Sequence, residues 1–324
     1  MKQSNKLTSL LFLFLFFYLS FSPILAQIEM PKWKIPYGTA PGSLAVYNLK
    51  THESFRESAP FGPQAFRVVA DKLWVLNSIG NSLNQYSQDG KLLYSLELPK
   101  LSEGCVYSDF AFEPAKELKN VWVCNDAEST LHKISMETGK TLMQLGGTGE
   151  EPGKFIQISQ IDCDDGGRLY VADEAKQTIS VFSSFGELLR QIDFQGSRFA
   201  LDNRGRLHSL YYSDKAGYFR KTFSPKGQLQ RTIHIGLGAM TNARIEHVSK
   251  NGDLYVTFKP AGIYAGQRVL YVIRLDGTVA ETLIFKAPVN VTRFISVSAE
   301  GSLFQTDADY FEAPDGTFNV FQLK

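Results

Sequence analysis

The chain has little of what most catalytic and metal sites are built from. Its 324 residues include three cysteines and five histidines. No CxxC and no cysteine–histidine spacing suggests zinc. The histidines His52, His132, His208, His234 and His247 keep no common place in the repeats described below. Only His247, beside Glu246, stands where it could face a central channel, a thin basis for a general base. No nucleophile-elbow sequence supports Ser/His/Asp chemistry. The Gly-rich GGTGEEPGKF (146–155) lies between strand patterns and opens no helix, which argues against a phosphate cradle. Charge of one sign is also missing. Lys and Arg number 34 against 33 Asp and Glu, so the net charge is +1. Nothing in that balance recommends nucleic acid, and no polybasic run recommends an anionic membrane. Catalytic residues, cofactor and metal are all expected to be none.

One long apolar run exists, and it is at the start. Lys2 and Lys6 precede SLLFLFLFFYLSF, then SPILAQ. A basic start, a short apolar core and Ala26 before Gln27 match a signal peptide over residues 1–26. The run falls short of the ~20 residues of a membrane span, and no second one follows. The expectation is an exported, periplasmic or extracellular protein with no stable membrane insertion, an uncleaved anchor being the alternative. In an oxidising compartment Cys105, before one strand, and Cys124, ending its antiparallel neighbour, are expected to pair. Cys163, inside a strand, is expected to be free and buried.

What the chain has in quantity is repetition. GRLYVADEAKQTISVFSSFGELL (167–189) reads as strand, loop, strand, tight turn, strand. Degraded forms of the phrase begin at residues 72, 120, 205, 252 and 301, each preceded by another short apolar segment such as AFRVVAD or SQIDCDD. About four strands per period of roughly 40–50 residues predicts an all-β, six-bladed β-propeller. A single domain over 27–324 follows, with blades near 60–99, 103–146, 153–195, 196–236, 242–287 and 291–324. The last blade is expected to be completed by N-terminal chain from 34–58, in which SLAVYNLKTHESFRES (43–58) reads as strands, leaving no bare edge.

In such a ring the starts of the innermost strands and the loops between second and third strands share one rim of the channel. The first set includes Gln64, Asp109, Gln160, Arg198, Arg244 and Arg293; the second includes Asp126, Asp173, Lys259, Asp307 and Asp309. Tyr107, Tyr211, Tyr212 and Tyr310 join them. A concave mixture of charged and aromatic groups is expected of a binding site. Arginine forks suit carboxylate or phosphate. Arg198, Arg244 and Arg293, from blades four to six, are therefore the candidate ligand contacts, faced by Asp126, Asp173 and Asp307. The plain alternative is that these groups pair with local partners and cap turns.

Residues 146–189 resemble an NHL repeat. The lead GGTGEEPGKF, then DCDDGGRLYVAD, then the ISVF strand ending at a Gly turn carry the likeness; Ser159 stands where that repeat has proline. The resemblance implies a six-bladed propeller and three classes of function. Many extracytoplasmic relatives are binding modules. Others resemble virginiamycin B lyase, a metal-assisted ring-opening enzyme with a channel histidine, or gluconolactonase-like proteins holding a divalent metal with Glu, Asn and Asp. This chain has no paired histidine site and no such Glu/Asn/Asp set at matching strand starts. A monomeric, non-catalytic scaffold binding a protein or small anionic ligand is the expected function, with the metal-dependent lyase or lactonase as the alternative.

Overall fold

A computed structural model describes residues 30–323, apart from 54, 56, 58, 116, 236–239 and 261–265, together with the backbone of 24–25. The proposed signal peptide otherwise lies outside the described residues. Six four-stranded antiparallel units form the ring of a β-propeller.

Blade one comprises Ala65–Val69, Lys72–Asn77, Ser82–Tyr86 and Leu92–Glu97. Blade two comprises Asp109–Phe112, Asn120–Asn125, Thr130–Ser135 and Thr141–Gly146. Blade three runs through Ile158–Cys163, Leu169–Asp173, Thr178–Phe182 and Leu188–Asp193. Blade four follows with Phe199–Leu201, Leu207–Ser213, Gly217–Phe223 and Leu229–His234. Blade five has Thr241–Val248, Leu254–Lys259, Gln267–Ile273 and Val279–Lys286. Blade six has Ile295–Val297, Leu303–Thr306 and Thr317–Leu323, with Trp33–Pro36 as its outermost strand. Ile24–Leu25 adds a short parallel strand to the outer edge of blade five.

Burial follows from this stacking. Second strands lie between neighbouring blades and are covered on both faces, so Leu169–Asp173 is buried throughout. Outermost strands meet solvent, and Leu188–Asp193 has only Ile192 buried. The core is accordingly a series of wedges between blades rather than one central mass. Leu83, Phe110 and Val123 fill the seam of blades one and two. Ala111, Trp122 and Ile161 fill that of two and three.

The tight turn between the third and fourth strands of blades one to five explains its glycine. Gly186 has φ +81° and donates its N–H to the Ser183 carbonyl. A Cβ there would also meet the Met143 thioether of blade two. Backbone conformation and close packing both demand glycine.

The SLAVYN segment differs from its strand-like pattern. Its described residues make only isolated bridges, Tyr37 with Leu44 and Tyr47 with Phe61. Asn48 is the reason. Its side-chain oxygen accepts the N–H groups of Lys50 and Thr51, both at 2.9 Å, which turns the chain. Its amide donates to the carbonyls of Tyr310 at 2.7 Å and Ala313 at 3.2 Å, anchoring the turn on blade six.

Candidate ligand-binding rim

Polar side chains of the innermost strands tie the ring together. Gln64 donates to the Asn290 carbonyl across the blade six–one seam at 2.8 Å. Gln160 both donates to the Phe199 carbonyl and accepts its N–H, each at 3.0 Å, across blades three and four. One connection is longer. Arg293 reaches from blade six past blade one to Asp109 of blade two, placing Nε and Nη2 each 2.8 Å from the two carboxylate oxygens. Nη2 also donates to the Ile161 carbonyl of blade three at 3.0 Å, and Asp109 Oδ2 accepts the Ile161 N–H at 3.1 Å. Arg67 of blade one donates to the Phe110 carbonyl at 2.8 Å and pairs with Asp162 at 3.3 Å. Four blades are thus bolted at the channel axis.

Burial alone would raise the Asp109 pKa, but the charges of Arg293, Arg67 and Arg198 prevail and hold it down at about 2. The Arg293 guanidinium is likewise held charged by Asp109 against the pull of burial. Arg293 therefore gives its fork to the ring itself.

Arg198 and Arg244 sit differently. They share one carboxylate, Glu246 of blade five: Arg198 Nη1 lies 2.8 Å from Oε2 and Arg244 Nε 3.6 Å from Oε1. Thr257 donates to the same Oε1 at 2.7 Å. Burial would raise the Glu246 pKa, but Arg198 and Arg244 hold it below the usual value. Arg244 Nη2 donates to the Thr292 carbonyl at 2.6 Å. Its guanidinium lies 5.0 Å from the Phe294 ring centroid, and that of Arg268 lies 5.2 Å from the same ring. Arg198 Nε and Nη2, and Arg268 Nη1, are buried with no hydrogen-bond partner in the protein. Burial first, then Arg244, lowers the Arg198 pKa to about 9 and lowers that of Arg268. Two guanidiniums share one carboxylate, and a third lies on the same aromatic ring as Arg244.

Beside them, between blades five and six, is a cavity of about 430 Å³ lined by Lys259, Gln267, Arg268, Asn290, Thr292 and Phe294, among others. Arg268 escaped the sequence reading because strands two and three of blade five extend beyond their counterparts in blades one to three. Its register is that of the apolar-bodied Tyr218 and Phe318 in blades four and six, and a charge there was the available signal.

The acidic candidates do not join this group. Asp173 is 1% exposed and accepts the N–H groups of Ile156, Gln157 and Lys176 at 2.8–3.2 Å, a turn cap. Asp126 is exposed in the blade-two loop, where its carbonyl accepts the Ser129 N–H. Asp307 is half-buried, its Oδ1 has no partner in the protein, and burial raises its pKa. Tyr107 and Tyr310 are core residues, the former 2.8 Å from His132. His247 packs against Tyr255, and burial pushes its pKa down to about 4. Among the described residues no group of three His, Cys, Asp or Glu side chains is arranged to hold a metal ion, and no helix is long and apolar enough to cross a membrane.

The cysteines depart from the expected bridge. All three are thiols. Cys124 points into the wedge between blades two and three, whereas Cys105 lines a surface cavity with Ser78, Asn81 and Glu97 of blade one. Strand ends meet, but the side chains diverge. Cys163 is half-buried rather than buried as its strand position suggested. Native protein treated with a thiol reagent is expected to react first at Cys105, with the buried Cys124 reacting only after unfolding. Peptide mapping of the labelled sites checks this, and a protected Cys105 would restore the bridge.

No protein-family model matches the chain, and no curated protein does. Among solved structures, hydrazine synthase of Kuenenia stuttgartiensis is similar, with a TM-score of 0.50 and 14% identity over 78% of this chain and 75% of that one. A protein of unknown function from Bacteroides caccae gives a TM-score of 0.48 and 15% identity, covering 82% of this chain and 90% of that one. At 14% identity the first likeness reaches the propeller fold and no further.

Proposed function

We propose that this chain is an exported, NHL-like propeller, cleaved near Ala26–Gln27, that holds a small anion or an acidic peptide end at its channel rim without turning it over. The observation that carries the reading is Arg268. It is 9% exposed, lines the cavity between blades five and six, and keeps Nη1 unpartnered beside Arg244. A buried donor with no acceptor costs free energy. An anion entering the cavity would supply the acceptor, and Lys259 adds a second cation to the wall. Arg198 and Arg244 are fixed on Glu246 and supply positive potential behind it. Arg293, tied to Asp109, orients the ring rather than the ligand.

Citrate is a suitable probe. Titration calorimetry is expected to show saturable binding by the mature protein and at least a tenfold loss in an Arg268→Ala variant, whose unfolding midpoint should stay close to wild type because Arg268 Nη1 has no partner to lose. Equal affinity in the variant would remove the rim as the site. Metal-dependent hydrolysis of a lactone by the wild type would move the protein to the lactonase class.

A further inference from the structure

Blade four breaks the repeat at two buried positions, and the breaks touch. Opposite the residues Leu76, Cys124, Ala172, Thr257 and Thr306, five blades place Leu83, Leu131, Ile179, Leu270 and Val320 on the third strand. Each of those five is fully buried. Blade four has Arg220 there, opposite Leu210, and it is 3% exposed. Two residues earlier on the second strand, the other blades carry Trp74, Trp122, Tyr170, Tyr255 and Phe304. Blade four has His208, 1% exposed.

An apolar pair would suit this seam at no desolvation cost, since replacing buried charge by packed hydrophobes is often neutral or stabilising. The fold instead builds a relay. His208 Nε2 lies 3.0 Å from Asp202, so Nδ1 is the acceptor, and Arg220 Nε and Nη2 donate to it at 3.2 and 3.1 Å. Arg220 Nη1 donates to the Gly252 carbonyl of blade five at 2.6 Å. Arg206 donates to Asp202 at 2.7 Å.

This relay floors a cavity of about 450 Å³ on the face opposite the rim, between the turns of blades four and five. Five cations line it, Arg204, Arg206, Arg220, Arg231 and Lys250, against one acid, Asp202. Arg204, Arg231 and Lys250 are exposed at its mouth, and Lys250 also lies near Glu300. Arg231 stands opposite Thr222 where blade one has Tyr94 opposite Gln85. The corresponding groove of blades one and two is walled by Trp74 and Tyr94.

We infer that the groove between blades four and five binds a polyvalent oxyanion, a ligand bearing two or more phosphate or sulfate groups, with Arg220 fixed as the floor contact and Arg204, Arg231 and Lys250 closing over it. Arg220 spends three of its five N–H donors on His208 and Gly252 and keeps one on each Nη for an oxyanion, while the single carboxylate is already satisfied by Arg206 and His208.

Two variants test it. Arg204→Ser/Arg231→Ser/Lys250→Ser removes only exposed side chains. His208→Tyr/Arg220→Leu restores the pair found in other blades and is expected to fold at least as well as wild type. Inorganic tripolyphosphate and a sulfated heparin tetrasaccharide, titrated separately at low salt, distinguish phosphate from sulfate as the source. At least one probe is expected to bind the wild type saturably and to lose tenfold or more in both variants. Arg268→Ala, in the rim, is expected to leave that affinity unchanged, which keeps the two sites separable. No saturable binding of either probe, or full affinity in either folded variant, overturns the inference.

Discussion

Replacing Asp109 with alanine is expected to lower the free energy of unfolding by about 3–5 kcal/mol, the usual cost of removing one partner of a buried ion pair. The reason is what remains. Arg293 is 5% exposed and would keep its charge with two of its donors suddenly unmatched, while the Ile161 N–H would lose its acceptor. Four blades meet at that point, so the loss would be felt around the ring rather than in one hairpin. Asp109→Asn is expected to recover part of the loss, because its amide oxygen can still accept from Ile161 and from one arm of Arg293. Denaturant unfolding of the three proteins gives the comparison. The acid limb offers a second reading. The Asp109 pKa lies at about 2 in the fold, below the ~3.9 of an unfolded aspartate, so its stabilisation is complete above pH ~4 and is lost as pH falls toward 2. The wild type should therefore lose part of its margin over Asp109→Ala across that window. A margin that stays constant down to pH 2, or an alanine variant as stable as the wild type at neutral pH, would show that the bolt contributes nothing.

The ring was legible because a propeller writes its architecture locally. Each blade needs two both-sides-buried strands, a loop and a positive-φ turn, and LYVAD, TISVF and Gly186 carry those needs within twenty residues of one another. Side-chain partners across the ring were not legible, because they depend on how far each blade turns about the axis. Arg293 meets Asp109 from 184 residues away, and nothing in either local sequence names the other. Arg198 and Arg244 could be placed on one side of the channel from register alone, yet their common carboxylate, Glu246, required the geometry. Extra strand length hid Arg268. The His208–Arg220 relay was legible in principle, since the repeat sets an apolar expectation at both positions. It needed exact pairing of the third strand to be seen, and strands one residue out of register present the opposite face.

Trp33→Ala is expected to be as damaging as the loss of Asp109, by a different route. Trp33 begins the outermost strand of blade six, opposite Val320, and is 1% exposed. Its ring meets Phe304 edge-on at 5.6 Å, and its indole N–H donates to the Ser87 carbonyl of blade one at 3.0 Å. One side chain therefore joins the end of the ring to its beginning. Truncating a buried tryptophan to alanine removes its transfer free energy and leaves a cavity, about 3–5 kcal/mol together. The cavity would open at a seam whose outermost strand has only four residues to hold it. Trp33→Phe should separate the contributions: most of the volume stays, while the bond to Ser87 is lost and its acceptor can reach solvent. About 1–2 kcal/mol is expected for that change. Lys34→Ala, whose side chain faces outward on the same strand, is the control and should fall within about 0.5 kcal/mol of wild type. The three substitutions should therefore rank in the order of buried volume removed. If Trp33→Ala unfolds at the same denaturant concentration as Lys34→Ala, the strand at Trp33–Pro36 is not what holds blade six to blade one, and the seam must be secured by Gln64 and its bonds to Asn290 and Thr292 instead.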